Sequence, residues 1–330
     1  MSATRFLVTG GSGFIGAALV RRLVEGGHHV SVLDNNSRGD PRRLKGVLDD
    51  IDFIPADIRD EKAVTSAAAN VDVVVHLAFV NGTRFFYSAP ELVLDVGVRG
   101  ILNVLAACRA HDVDRLIVAS SSEVYQSPSK IPTDESAPLV VPDVHNPRYS
   151  YGAAKLISEV MAINYTRKDH GQTVIFRPHN IYGPDMGWDH VLPQLITRAV
   201  ALVETTAQDP VPFPLQGDGS QTRSFMFIDD CADALMTLIE EGEHLGIYHV
   251  GNPEERSIKS VAEKIFELLK REVEIIPGPT PAGETARRVP DTTRLNALGF
   301  KPEISFDQGL VPTFEWYANN RDLWPADDDG

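Results

Sequence analysis

The chain has 330 residues, 43% of them apolar, which is long enough for one large α/β unit with a smaller lobe. Its formal net charge of −15 argues against nucleic acid or an anionic membrane surface as a partner, because both require clustered positive charge. No stretch approaches about eighteen uninterrupted apolar residues and no signal pattern opens the sequence, so a soluble cytoplasmic protein is expected.

The first apolar run, within Arg5–Val8, reads as a buried strand. It feeds a loop with glycines at 10, 13 and 16, and a helical pattern follows through Phe14, Ile15, Ala18, Leu19 and Leu23. Strand, glycine turn and helix make a dinucleotide-binding layout: Gly10 for the tight turn, Gly13 for approach of a pyrophosphate, Gly16 for close packing of helix on strand. The phosphates would lie on the free N–H groups of the helix start, at Phe14 and Ile15. A second strand, His29–Leu33, ends in Asp34, placed to accept from an adenosine ribose, with Asn35 beside it. Asp34 repels a 2′-phosphate and so favours NAD over NADP, with Arg38 keeping NADP open.

A third strand, Asp52–Pro55, precedes Asp57 and Ile58; Asp57 reads equally as an adenine contact or a helix N-cap. The fourth, Val71–Leu77, is almost wholly apolar, as expected of a sheet covered on both faces, and puts the backbone of Leu77 and Ala78 against the cofactor. Thr83 and Arg84 follow and would face a substrate. A helical pattern over Ala89–His111 leads to a fifth strand, Arg115–Ser120, which runs into Ser121, Ser122 and Glu123. A second long helical pattern, Tyr149–His170, carries Tyr151 and Lys155 at i and i+4, on one face. The ammonium is expected to lower the phenol pKa so that it serves as a base near neutral pH, with a serine hydroxyl aligning the substrate. The sixth strand is Thr173–Phe176.

This alternation predicts an α/β fold, a doubly wound parallel sheet. After residue 178 prolines and glycines cluster, and a smaller, interleaved lobe is expected. Ser224–Glu241 and Ile247–Val250 should return to the sheet. The expected division is 1–178 with about 224–250 for the cofactor, and 179–223 with 251–330 for the substrate. Cys108 and Cys231 lie in apolar helical patterns without metal-site spacing, so buried thiols and no metal are expected. Asp327–Gly330 reads as a solvated tail.

Thr9-Gly-Gly-Ser-Gly-Phe-Ile-Gly16, with Ser121, Tyr151 and Lys155 downstream, resembles the extended short-chain dehydrogenase/reductase family, which includes the NAD-dependent nucleotide-sugar epimerases and dehydratases. The resemblance covers nearly the whole chain. It implies a Rossmann-like fold, tightly held NAD, a nucleotide-diphosphate sugar as substrate and a homodimer through the two long helices. Ser121, Tyr151 and Lys155 match its catalytic serine, tyrosine and lysine, and Asn103 its structural asparagine, while Asp95-Val-Gly97 departs from its pattern. Arg177-Pro-His-Asn-Ile-Tyr-Gly-Pro184 is similar to an element whose asparagine contacts the sugar nucleotide, which gives that role to Asn180 with His179 beside it. Gly217 to Phe225 and Arg287 to Asp291 resemble the segments whose arginines, Arg223 and Arg288, grip the pyrophosphate. Trp188 and Phe213 could flank base or sugar, or simply pack.

In that family the tyrosine removes the C4 hydroxyl proton while NAD takes the hydride. A 4-epimerase needs only Ser121, Tyr151, Lys155 and room for the ketone to turn. Glu123 stands where 4,6-dehydratases place a glutamate, and Ser122 with Glu123 also resembles UDP-glucuronate decarboxylases. Glu123 and His190 could instead serve a 3,5-epimerase, or be a strand-end carboxylate and a nucleotide contact. An NAD-sensing binding protein is the non-enzymatic alternative. The expectation is a nucleotide-sugar 4-epimerase acting on a UDP-hexose or UDP-hexuronic acid.

Overall fold

A computed structural model describes residues 3–168, 171–279 and 287–325. The acidic tail and the expected end of the second long helix, His170, lie outside the described residues. Strand β1 (Arg5–Thr9) enters the glycine turn and helix α1 (Phe14–Glu25), which returns to β2 (His29–Leu33). Next come β3 (Ile51–Ile54), α2 (Glu61–Ala67), β4 (Val73–His76), α3 (Thr83–Ser88) and α4 (Pro90–Ala110). Then follow β5 (Arg115–Ala119), α5 (Ser150–Thr166) and β6 (Gln172–Pro178).

Helix α4 begins at Pro90, where a missing N–H costs no hydrogen bond, and buries Val93, Val96, Ile101, Val104, Leu105 and Cys108 at helical spacing. A Cβ at Gly97 would lie 2.8 Å from the Phe79 ring and 2.9 Å from Ala154, so a glycine is what lets α4 press against α5. Past β6 the elements shorten: β7 (Ile181–Tyr182), α6 (Val191–Thr205), β8 (Val211–Leu215), β9 (Thr222–Ser224) and β10 (Met226–Phe227). Helix α7 (Ile228–Glu241) and β11 (Gly246–Val250) then rejoin the main sheet. Last come β12 (Glu255–Ser257), α8 (Ile258–Leu268), β13 (Val273–Pro277), β14 (Arg287–Arg288), α9 (Thr293–Ala297) and α10 (Phe306–Asn319).

Seven strands form one parallel sheet in the order β11-β6-β5-β4-β1-β2-β3. Helices α1 and α7 pack over one face, and α2, α4 and α5 over the other. All four residues of β4 are buried, as the unbroken apolar run requires. Burying a Val or Leu side chain is worth about 1.5–3 kcal/mol, so the two apolar layers hold the sheet in place. Strand order reverses between β1 and β4, and their register (Thr9 opposite His76) sets Gly10 beside Leu77 at one crevice. Doubly wound sheets bind ligands at such a reversal.

Three small sheets sit beyond the main one. In one of them β9 lies between β12 and β14, which sets Arg288 in register with Arg223. A third apolar cluster, including Tyr182, Phe213, Phe225, Phe266 and Phe306, packs these pieces together.

Candidate active site

The glycine turn is a tight fit to its surroundings. Gly10 has φ +75, and a Cβ there would lie 2.6 Å from the Ala78 backbone nitrogen. A Cβ at Gly16 would lie 2.2 Å from the Gly10 carbonyl oxygen. Helix α1 starts at Gly13 with no side-chain cap and no acid in its first turn, which leaves its N–H groups for an anion. Asp34 accepts from Ser12 N–H at 3.0 Å and Asn36 N–H at 2.8 Å, and its remaining lone pairs suit a ribose hydroxyl. Asp34, Asn35, Asp57, Ile58, Leu77 and Ala78 line one crevice with Gly10 and Gly13. These features fit a dinucleotide, with the adenosine at Asp34 and the pyrophosphate on the start of α1.

Asp57 is not the helix cap; Asp60 is. Hydrogen bonds from Arg59 hold the Asp57 carboxyl down at about 2, and the side-chain amide of Asn35 donates to it at 2.9 Å. Asn103 donates to the Ile58 carbonyl at 3.0 Å, a structural bond that ties α4 to the crevice floor. Asp95 is taken up by Arg59 and Arg99.

The crevice continues into a cleft of about 570 Å³ lined by Phe14, Ile15 and Gly16 at one end and by Ser121, Ser122, Glu123, Tyr151 and Lys155 at the other. Ser121 caps the short turn after β5, its Oγ accepting from Glu123 N–H at 3.1 Å. The same hydroxyl is close enough to Tyr151 to draw the phenol pKa downward. Tyr151 stacks on Phe86 with ring centroids 5.0 Å apart and meets Phe79 edge-on at 5.1 Å. Lys155 Nζ donates to the Ala119 carbonyl at 2.7 Å and sits 4.0 Å from the centre of the Phe79 ring.

Burial pushes the Tyr151 hydroxyl up to about 12 and pulls the Lys155 ammonium down to about 7. The expected lowering of the phenol by Lys155 is therefore not the balance struck among the chain's own groups. Desolvation dominates at both groups, because each charged form is costly in this apolar surround.

Opposite Tyr151, Glu123 forms an ion pair with Arg288. Burial pushes its carboxyl upward, but Arg288, Arg148 and Arg223 together outweigh burial and hold it below the ordinary value. Asn180, Arg223, Thr83 and His190 line the same cleft. Asn180 has φ +42 and donates from its amide to the Ser224 carbonyl at 2.9 Å, joining the β6–β7 turn to β9. His190 precedes α6, and burial lowers its ring pKa.

Five expected substrate contacts lie outside the cleft lining, one of them Arg288, which is buried against Glu123. His179 is fully buried and packs edge-on against His249, with ring centroids 4.6 Å apart. Phe213 is buried against Phe266, with Arg198 over its ring. Trp188 packs on Trp316 and Tyr317. Arg84 lies over Phe85 at 5.4 Å, outside the cleft lining.

Sequence reading passed over Arg148, on the turn just before α5, although its place three residues ahead of Tyr151 marks it. It also passed over Arg38 as a cleft residue; its guanidinium sits 4.7 Å over Phe85 and 3.4 Å from Asp189. Among the described residues there is no cluster of side chains able to hold a metal ion, and no helix is long and apolar enough to cross a membrane.

Comparison with known proteins agrees with this architecture. The profile of the NAD dependent epimerase/dehydratase family matches residues 6–251. The chain is 31% identical over 323 residues to the UDP-N-acetyl-alpha-D-glucosaminuronate decarboxylase of Bacillus cytotoxicus, spanning 95% of this chain and 97% of that one. It is 29% identical over 331 residues to the dTDP-glucose 4,6-dehydratase of Streptomyces niveus, spanning 97% and 94%. The crystal structure of the Thermus thermophilus UDP-glucose 4-epimerase in complex with NAD superposes with a TM-score of 0.81 at 26% identity, over 96% of this chain and 100% of that one. One framework thus carries three reaction outcomes, and on its glycine turn, sheet order and matched length this chain is an enzyme of the NAD-dependent epimerase/dehydratase family.

Proposed function

We propose that the enzyme is a nucleotide-sugar 4-epimerase acting on a UDP-hexose or UDP-hexuronic acid through a transient 4-keto sugar. The convergence of Ser121, Tyr151 and Lys155 in one cleft with Asn180 and Arg223, and with Glu123 held by Arg288 behind it, carries this reading. Tyr151 is the base for the C4 hydroxyl, and Ser121, in the same cleft lining, aligns that hydroxyl. Lys155 supplies the cation next to the developing phenolate. NAD, held along Gly10, Gly13, Gly16 and Asp34, supplies the hydride acceptor and donor when bound. Arg223 and Arg288 suit a diphosphate, which planar guanidinium forks match well.

Loss of water is the less favoured outcome. It needs an acid for the leaving hydroxyl, but residue 122 is a serine and Glu123 is held ionised by three arginines. Decarboxylation is the second reading, favoured by the Arg148, Arg223 and Arg288 cluster, which would suit a hexuronate carboxylate.

Incubation with UDP-, GDP-, CDP- and dTDP-sugars in heavy water separates these outcomes by mass spectrometry and proton NMR. An epimer without deuterium is expected. Loss of carbon dioxide would replace the epimerase reading with decarboxylation. Loss of water with deuterium uptake would replace it with dehydration.

A homodimer is part of the same proposal. Leu94 on α4 and Ile157, Val160 and Tyr165 on α5 are 40–57% exposed despite being large and apolar. Such a patch on two adjacent helices suits a second copy. Light scattering is expected to give twice the chain mass, and Val160→Asp half of that; a monomeric wild type would sink the idea.

A further inference from the structure

Tyr151, Lys155 and Glu159 stand at successive turns of one face of α5. Glu159 is only 1% exposed, and the reaction just described gives it no part. Its Oε1 accepts from Arg177 Nε at 2.8 Å and its Oε2 from Arg177 Nη2 at 2.6 Å. Oε1 also accepts from the hydroxyl of Ser120, the residue before Ser121. Arg177 is itself fixed by the Tyr125 hydroxyl and by the Glu135 carbonyl at 3.0 Å, and Tyr125 is bonded to His249 Nε2 at 2.7 Å. The carboxylate therefore cannot swing away.

Lys155 faces the Ala119 carbonyl on β5, the Phe79 ring and the neutral His76 at the end of β4. Glu159 is the acid whose charge reaches it. In so buried a place that field is weakly screened.

We propose that Glu159 is a positioning residue for the reaction: one carboxylate, clamped by Arg177, both pins the Ser120–Ser122 strand end and keeps Lys155 an ammonium beneath Tyr151. This rests on the reading of Lys155 as the lysine of the reaction, but its first test does not need a sugar. The NAD-loaded protein, carrying heavy-nitrogen-labelled lysine, is titrated by NMR, with the Lys155 signal assigned by its loss in Lys155→Arg. In Glu159→Gln the Lys155 midpoint is expected to fall by about one pH unit or more, the size of shift an opposite charge at close range produces.

Glu159→Gln strands the Arg177 charge and risks unfolding, so Glu159→Gln with Arg177→Met is measured beside it. A smaller fall in the same direction is expected there, because the opposing Arg177 charge, bound to both carboxylate oxygens, leaves together with Glu159. Glu159→Asp keeps the charge and is expected to keep the midpoint. With the sugar substrate present, the alkaline limb of kcat should move down with the Lys155 midpoint. An unchanged midpoint in a folded Glu159→Gln protein or in the double variant overturns the proposal, even if turnover is lost. Failure to turn over any sugar with the midpoint lowered would instead count against the sugar-nucleotide reading alone.

Discussion

Arg288 on β14 closes on Glu123 in the turn after β5, a contact between residues 165 positions apart in the sequence. It ties the turn after β5 to the small sheet of β12, β9 and β14. The ion pair holds the Glu123 carboxyl below its ordinary value despite burial. A lowered folded-state pKa means the pair adds stability above the unfolded value, about 4.3 for Glu, and loses it as pH falls through the folded value. Urea unfolding midpoints of the wild type are therefore expected to drop as the pH is lowered from about 5, and Glu123→Gln should flatten that drop. Parallel curves for the two proteins would contradict the assignment.

Tyr151→Phe removes the hydroxyl near Ser121 and leaves the ring stacked on Phe86. Turnover is expected to fall about 100- to 10,000-fold, the usual contribution of a positioned acid or base. NAD content and melting temperature should change little.

Lys155 carries a folded-state pKa of about 7, depressed by burial. Between about pH 7 and about 10 the unfolded chain binds a proton that the folded protein does not, so stability rises with pH over that window. Lys155→Met lacks this titration. Its stability gain over the wild type should be greatest below pH 7 and vanish near pH 10, read from urea midpoints across the range.

Gly16→Ala would set a methyl 2.2 Å from the Gly10 carbonyl oxygen. The turn must open, at a cost of about 1–3 kcal/mol for an overpacked site. The variant is expected to purify without NAD and to melt several degrees lower. Full NAD occupancy at the wild-type melting temperature would show that the turn tolerates the methyl.

The main sheet was legible in the sequence because each of its signals is local. The run Val73-Val-Val-His76 is a strand covered on both faces, and the glycines at 10, 13 and 16 each answer a close approach within their own turn. Ser121, Tyr151 and Lys155 were legible because strand end and helix face are short-range patterns. What was not legible depends on which way a side chain turns or on pairings far along the chain. His179 neighbours Asn180, yet adjacent residues at a strand end point to opposite sides, and its ring goes to His249 rather than the cleft. Phe213 and Trp188 lie near prolines and read equally as ligand contacts or as packing until Phe266 and Tyr317, distant in sequence, are placed against them. Glu159 was there to be found, four residues past Lys155 on the same face.

The pairing of β14 with β9 has a consequence for the order in which the protein is made. The cradle for the dinucleotide uses residues that precede β11, whereas Arg288 joins Arg223 only when one of the last strands has been added. A chain still emerging from the ribosome is thus expected to acquire its dinucleotide pocket before the strand pairing that brings Arg288 beside Arg223 and onto Glu123.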